Sequence, residues 1–230
     1  MITLHQYAKK WGMNASPFCL KIELILRLFD FQFDIVDDMP KVKSPKGKLP
    51  VIEDNGKVVA DSEFILDYLQ EKYGKSLNAG LTDYEKGICY AYKKMIEEHL
   101  YWIALYFRWF DEASWKIVKK DWFEHVPEEI LSQIYAKTKR DFEGTGLGGH
   151  SQEELARIGI KCLNSIHELV KHKKSHYIFG DAFTEIDVIV YAFLVQITHA
   201  PISSPLKEHI KKLKELDHYI SFLHDTWHEK

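Results

Sequence analysis

The sequence is poor in cysteine and has no long apolar run, and both shortages exclude classes of protein. Its three cysteines, Cys19, Cys89 and Cys162, are an odd and scattered set that cannot form a disulfide framework. Free thiols suit a reducing compartment, so we expect a cytoplasmic protein without a secretory signal. The most apolar stretch, residues 100–107, falls short of the roughly 20 residues that a membrane helix needs, so we expect no membrane span.

Charge and histidine content exclude two further classes. The formal net charge of the 230 residues is −3, which gives no basic face for nucleic acid, and we expect no nucleic-acid partner. His224 and His228 are spaced like metal ligands on one helix face, but no third ligand accompanies them. We therefore expect no metal site.

The spacing of apolar residues predicts a sheet-containing region followed by a helical one. Up to Gly74 the order is strand, helix, strand, hairpin and helix, and the hairpin turns at Asn55-Gly56. A crossover helix makes the first two strands parallel, while the hairpin is antiparallel, so the sheet is mixed. Further on, five long helices are predicted, at 83–120, 127–143, 151–173, 184–198 and 205–227.

These patterns indicate an α+β fold class with two domains. We expect a mixed-sheet domain at residues 1–76 and an all-helical domain at 83–230, joined by a linker within Gly74–Thr82. Gly144–Gly149 has the glycine spacing of a dinucleotide-binding loop, but it follows a charged helical segment, so we predict an interhelical turn. Thr184 to Asp187 is an N-capping box, to which we assign no chemistry.

The strongest chemical signal is Ser16, which precedes Pro17 at the start of the first helix. A helix N-terminus leaves backbone N–H groups unpaired and carries partial positive charge, so it stabilises a nearby thiolate or alkoxide. Proline suits this first turn because its missing N–H would be unpaired anyway. Ser16 is therefore the candidate catalytic residue of a site that binds or activates sulfur.

Two dipeptides are candidates for binding. Leu49-Pro50 opens a strand, which indicates a sheet edge, a bulge or a cis bond that turns the N–H and C=O of Leu49 outward; a trans proline explains it equally well. Asp61-Ser62 opens a helix, with Ser62 at the predicted N-cap. A helix N-terminus accepts a carboxylate and Asp61 suits an ammonium group, although simple capping accounts for this pair too.

Together these motifs resemble those of the glutathione transferases in order and spacing, over essentially the whole chain. Within that superfamily the chain is similar to the failed-axon-connections and metaxin-like branch. The segments that carry this narrower resemblance are Ser16–Lys21, Ser44–Pro50, Ala60–Ile65, Gly144–Glu154 and Phe179–Asp181. The resemblance implies a thioredoxin-like N-terminal domain, a helical C-terminal domain, glutathione as co-substrate in the cleft between them, and a homodimer.

The resemblance also implies the roles of the candidate residues. Ser16 would hydrogen-bond the glutathione sulfur, and Leu49, ahead of a cis Pro50, would pair with the cysteinyl unit. The γ-glutamyl ammonium and carboxylate would be held by Asp61 and Ser62. Lys48 would approach the glycyl carboxylate. The thiolate would then attack a small apolar electrophile, bound against the aromatic residues clustered between positions 101 and 115.

Two alternatives stay open at this stage. One is a non-catalytic interaction module, because the branch includes members whose enzyme activity is uncertain. The other is a glutathione-dependent thiol-disulfide reductase that uses Cys19, although Ser16 stands where such relatives have cysteine and a cysteine one turn into a helix is more often packed and inert. The sequence also leaves open whether Arg108 or His150 reaches the cleft.

Overall fold

A computed structural model describes residues 1–37 and 44–228 of the chain, and the side chain of His228 lies outside that description. We call residues 1–73 the sheet region. Its elements are β1 (Ile2–Gln6), β2 (Lys9–Lys10), β3 (Met13–Asn14), α1 (Pro17–Leu28), β4 (Phe33–Asp37), β5 (Val51–Asp54), β6 (Lys57–Ala60) and α2 (Ser62–Tyr73).

Four of these strands form the mixed sheet that the sequence predicts. The order is β4-β1-β5-β6, with β4 parallel to β1 and both hairpin strands antiparallel to their neighbours. Leu4 lies at the centre, paired with Ile35 on one side and Ile52 on the other. The hairpin turns as expected, because Asn55 and Gly56 both adopt positive φ angles, of 51° and 83°.

We call residues 83–228 the helical region. Its elements are α3 (Asp83–Met95), a π-helical turn (Ile96–Leu100), α4 (Tyr101–Trp109), α5 (Glu112–Phe123), α6 (Glu128–Glu143), α7 (Gln152–Lys171), α8 (Glu185–Thr198), α9 (Pro205–Ile210) and α10 (Lys214–His228). A thioredoxin-like sheet region followed by a helical region confirms the predicted fold class.

Two of the predicted long helices are broken. The helix expected over 83–120 contains the π-helical turn and then ends before Asp111, whose side chain accepts the Ser114 N–H at 2.9 Å and begins a new helix. A short carboxylate that bonds to the backbone in this way favours a helix start over helix continuation. The helix expected over 205–227 is interrupted at residues 211–213.

The centre of the helical region is α8. Every residue of Ile186–Ile197 is buried, and a helix that is apolar on all sides must be covered on all sides; α1, α3, α9 and α10 pack around it. The predicted capping box is present, because the N–H and hydroxyl of Thr184 donate to the Asp187 carboxylate at 2.7 and 2.6 Å. Asp187 also accepts from the Ile178 N–H and the Tyr219 hydroxyl.

The glycine-rich segment Gly144–Gly149 is the interhelical turn that we predicted, between α6 and α7. Gly148 approaches Glu143 so closely that a Cβ atom there would lie 2.6 Å from the Glu143 Cα. Within residues 1–37 and 44–228, no three histidine, cysteine or acidic side chains group as metal ligands, and no helix is both long and apolar enough to cross a membrane.

Candidate functional site

Ser16 occupies the N-cap of α1, as expected. Its backbone is extended, with φ −112° and ψ 125°, and its Oγ accepts the Cys19 N–H at 3.4 Å. Pro17 follows in the first turn, and the hydroxyl is only partly buried. The serine oxygen therefore lies at the electropositive end of the helix, where an anion is stabilised.

Asn14 holds the segment that carries Ser16, and we did not single it out from the sequence. Its Oδ1 accepts the Ser16 N–H at 2.9 Å, and its Nδ2 donates to the Tyr7 carbonyl oxygen at 2.6 Å. Asn14 is fully buried. An asparagine that bonds to the backbone two residues ahead is the signature of an Asx turn, so the signal was available in the spacing.

The Leu49-Pro50 peptide bond is cis, which resolves the alternative left open by the sequence. Within the described part of the chain, neither the N–H nor the C=O of Leu49 has a hydrogen-bond partner. Its side chain belongs to a small buried cluster against which Tyr7 packs. The members of this cluster are Cys19, Leu49, Val51 and Ala60. The start of α1, the proline turn and the end of β6 thus meet at one place.

Asp61 is the N-cap of α2, which corrects the prediction that Ser62 caps this helix. The Asp61 side chain accepts the Glu63 N–H at 2.9 Å, while Ser62 is the first helical residue and is buried. Asp61 has φ 87°, which is strained for a residue other than glycine. Its own N–H donates to the Pro50 carbonyl oxygen at 3.4 Å, so the cis turn and the start of α2 are directly joined.

Two exposed lysines flank this turn. The Lys46 Nζ lies 3.9 Å from an Asp61 carboxylate oxygen and 3.9 Å from the centroid of the Phe64 ring. The Lys48 Nζ lies 5.9 Å from the centroid of Trp102 in α4. Exposed contacts of this kind contribute little to stability, but they place both positive charges at the rim of the site.

The aromatic residues between positions 101 and 115 divide into two groups. Tyr101 faces the sheet region. The ring of Phe18 contacts the Tyr101 ring edge-on, with the centroids 5.0 Å apart, and it contacts the Phe193 ring of α8 edge-on at the same centroid distance. Trp109 and Trp115 stack on each other at 5.2 Å and belong to a separate cluster between α4 and α5. Only the first group adjoins the helix that begins at Ser16.

Burial keeps two ionisable groups near the start of α1, the thiol of Cys19 and the hydroxyl of Tyr7, in their neutral forms. Cys19 has no exposed surface, and burial raises the pKa of its thiol to about 12. The pKa of Tyr7 is raised above its ordinary range, first by burial and then by the neighbouring Cys19 and Tyr101. A thiolate is the reactive form of cysteine, so Cys19 is packed and inert at neutral pH.

Arg108 reaches the Ser16 segment from α4, and His150 pairs with Glu154 at 3.7 Å instead. The Arg108 guanidinium donates to the Gln196 carbonyl oxygen at 3.1 Å and approaches the Ala15 carbonyl oxygen at 3.5 Å. The sequence analysis did not single out Gln196, although an amide within the apolar run of α8 could have indicated a buried polar residue there. No sequence signal indicated where Arg108 would point.

Comparison with known proteins identifies the family. The N-terminal domain family of glutathione S-transferases matches residues 17–114, and the C-terminal domain family matches residues 159–222. Failed axon connections of Drosophila melanogaster is 33% identical over 98% of this chain, which spans 57% of that protein's length. Isoprene-epoxide–glutathione S-transferase of Rhodococcus sp. (strain AD45) is 31% identical over 87% of this chain and 88% of its own length.

A solved structure agrees with these matches. The β-etherase LigF of Sphingobium sp. strain SYK-6 has a TM-score of 0.66 over 96% of this chain and 94% of its own, at 16% identity, which shows a shared fold. The resemblance inferred from the sequence is confirmed, including the likeness to failed axon connections and the metaxins. The chain belongs to the glutathione S-transferase superfamily.

Proposed function

We propose that the protein is a Ser-type glutathione transferase that conjugates the glutathione thiolate to a small apolar electrophile. The observation that carries the proposal is the convergence of three segments on one buried cluster. These segments are the start of α1 at Ser16, the cis Leu49-Pro50 turn, and the start of α2 at Asp61. In that order, these segments offer partners for the sulfur, the cysteinyl backbone and the γ-glutamyl carboxylate of glutathione.

Each part of glutathione has a proposed partner. The N–H and C=O of Leu49, which have no partner among residues 1–37 and 44–228, would pair with the cysteinyl unit, and the start of α2 at Ser62 would hold the γ-glutamyl carboxylate. The ammonium group would compete with Lys46 for the Asp61 carboxylate, where the present separation is 3.9 Å. The exposed Lys48 side chain would approach the glycyl carboxylate.

The proposed chemistry begins with the sulfur. The Ser16 hydroxyl donates a hydrogen bond to the bound sulfur, and the partial positive charge at the N-terminus of α1 favours the anionic form of that sulfur, which lowers the thiol pKa below its usual value of about 8.5. The thiolate attacks an electrophilic carbon, so a carbon–sulfur bond forms as the bond to the leaving atom breaks. Phe18 and Tyr101 supply an apolar wall beside this point.

An apolar epoxide is the first electrophile to test, because a relative named for isoprene epoxide is 31% identical. In that reaction the carbon–oxygen bond of the ring opens as the carbon–sulfur bond forms. The released alkoxide then takes a proton from water. No leaving group departs, so the product keeps every atom of both substrates.

A second candidate is a non-catalytic interaction module, and the 33% identity to Failed axon connections over 98% of this chain favours it. The third, a thiol-disulfide reductase, is opposed by the burial of Cys19 and its raised pKa. We also propose a homodimer, domain boundaries at 1–76 and 83–230, and a cytoplasmic location. Light scattering against the 27.0 kDa mass of one chain tests the dimer.

Calorimetric titration with reduced glutathione tests the proposed function. We expect the wild type to bind in the micromolar to millimolar range and Ser62→Ala to bind at least about tenfold more weakly, a loss of about 1.4 kcal/mol. Ser203→Ala, at an exposed serine, is the matched control and should bind like the wild type. No binding to the wild type would reject the transferase and favour the interaction module.

A further inference from the structure

The guanidinium of Arg108 lies in the seam between the helical and sheet regions. Its side chain is buried, with only 8% of the residue exposed. One terminal nitrogen donates to the carbonyl oxygen and to the side-chain Oε1 of Gln196, at 3.1 and 3.3 Å. The other lies 3.5 Å from the carbonyl oxygen of Ala15. Arg108 therefore contacts the peptide unit that leads directly into Ser16.

Arg108 is a buried cation without a carboxylate partner. Among residues 1–37 and 44–228, no acidic side chain forms an ion pair with it, and its Nε has no hydrogen-bond partner. The guanidinium carbon lies 5.3 Å from the ring centroid of Trp122, a cation–π contact with a neutral partner. Burial lowers the pKa of Arg108 to about 10, which still leaves it charged at neutral pH. A buried charge without a counter-ion costs stability, and the neutral carbonyl oxygens and the Trp122 ring offset only part of that cost.

The groups that face Arg108 in the described part of the chain include no anion. Gln196 and the backbone of Ala15 are neutral, and Tyr101, the ionisable side chain with which it interacts, has its pKa raised to about 12 by burial. Cys19, at the start of the same helix as Ser16, is likewise a neutral thiol. The ion pair of Lys21 with Glu97 is internally balanced. An anion bound at the start of α1 would add a negative charge to a neighbourhood in which no carboxylate of the described residues pairs with this guanidinium.

We propose that Arg108 is a positioning residue that fixes the Ala15–Ser16 backbone and supplies the positive charge opposite an anionic sulfur bound at Ser16. The inference rests on the proposed glutathione site and deepens it. It makes the helical region a contributor to sulfur activation, in addition to its role as the wall for the electrophile. In a medium of low dielectric constant, one charge acts over a longer distance than it does in water.

The test is the pKa of the thiol of bound glutathione, followed by the ultraviolet absorbance of the thiolate as the pH is raised. We expect Arg108→Met to raise this pKa by about one unit, a tenfold lower ratio of thiolate to thiol at neutral pH. Arg108→Lys, which keeps the charge but loses the planar fork, should keep most of the effect. Gln196→Glu places a carboxylate beside an intact Arg108 and should raise the pKa more than Gln196→Met does, because both changes remove the hydrogen bond to Asn14 and only the first adds a charge.

The outcomes separate this inference from the proposed function. If the wild type binds glutathione with a lowered thiol pKa, and Arg108→Met and Gln196→Glu leave that pKa unchanged, the charge role is rejected while the transferase stands. A change in glutathione affinity alone would show a purely structural role and also reject it. If Arg108→Met does not fold, Gln196→Glu decides. If the wild type does not bind glutathione in the calorimeter, both proposals fall together.

Discussion

The side-chain amide of Gln196 donates a 2.8 Å hydrogen bond to the carbonyl oxygen of Asn14, across 182 residues of sequence. Asn14 in turn accepts the N–H of Ser16 with its side-chain oxygen. The segment that carries the candidate catalytic serine is thus held from the helical region as well as from its own strand. A change in the packing of α8 should therefore alter the position of the backbone at the start of α1.

Ser16→Ala should lower turnover far more than glutathione affinity. Removing one hydrogen-bond donor to a reacting anion typically costs roughly 100-fold in rate, while most glutathione contacts lie elsewhere. The measurement is kcat with an epoxide substrate together with the calorimetric Kd. Ser221→Ala, at an exposed serine of α10, is the control. Equal losses in rate and affinity would contradict a role in activation.

Cys19→Ala should leave the conjugation rate within about twofold of the wild type, because the buried thiol is not the reacting group. A modest loss of stability, about 1 kcal/mol, is expected from the small cavity. A disulfide-reduction assay on the same variant completes the experiment. Disulfide reduction by the wild type that disappears in Cys19→Ala would support the reductase and contradict our assignment.

Asp187→Ala should destabilise the fold by roughly 3–5 kcal/mol, because buried donors lose their acceptor. Those donors include the backbone N–H groups of Ile178 and Thr184 and the hydroxyl of Tyr219. Urea unfolding measures the loss. Glu153→Ala removes an exposed first-turn acid from α7 and should stay within about 0.5 kcal/mol of the wild type. Similar effects of both changes would contradict the prediction.

Lys21 and Glu97 form a buried ion pair, 2.6 Å between Nζ and Oε1, that joins α1 to the π-helical turn. Lys21→Met should cost roughly 3–5 kcal/mol, because it leaves an uncompensated carboxylate in the core. The double variant Lys21→Met/Glu97→Leu should be more stable than Lys21→Met alone. Thermal and urea unfolding of the three proteins checks this order, and a double variant less stable than the single one would refute it.

Asp54 should make stability depend on acid pH. Burial opposes its charge, but hydrogen bonds from Lys72, Tyr73 and Tyr68 outweigh burial and lower the pKa of Asp54 to about 2. Because the unfolded value is about 3.9, this stability is present above about pH 4 and is lost as the pH falls towards 2.

Replacement of Asp54 tests this pH dependence. At neutral pH, Asp54→Asn should therefore have a lower free energy of unfolding than the wild type. As the pH falls from about 4 towards 2, its free energy of unfolding in urea should fall less steeply than that of the wild type. Asp67→Asn, at an exposed position of α2, should keep the slope of the wild type. If the free energy of unfolding of Asp54→Asn falls with acid as steeply as that of the wild type, Asp54 is not the source of the pH dependence.

Features whose hydrogen bonds join residues only a few positions apart could be predicted from the sequence. The Asn55-Gly56 turn, the Ser16 cap and the Thr184–Asp187 capping box depend on neighbours along the chain, so residue type and spacing suffice to predict them. Periodicity likewise sufficed for the mixed sheet and the helical region. The helix break at Asp111 was missed because a cap inside an apolar pattern is a weaker local signal.

The pairing of buried polar groups depends on the tertiary structure. Lys21 forms an ion pair with Glu97, 76 residues further along the chain, and Arg108 donates a hydrogen bond to Gln196, 88 residues further along. Spacing carries no information about such pairs, because each partner is selected by how helices pack and by the cost of leaving a buried polar group unpaired. The residues of the proposed glutathione site could therefore be predicted from local motifs, while the contact of Arg108 with the Ala15 carbonyl oxygen depends on how α4 and α8 pack against the start of α1.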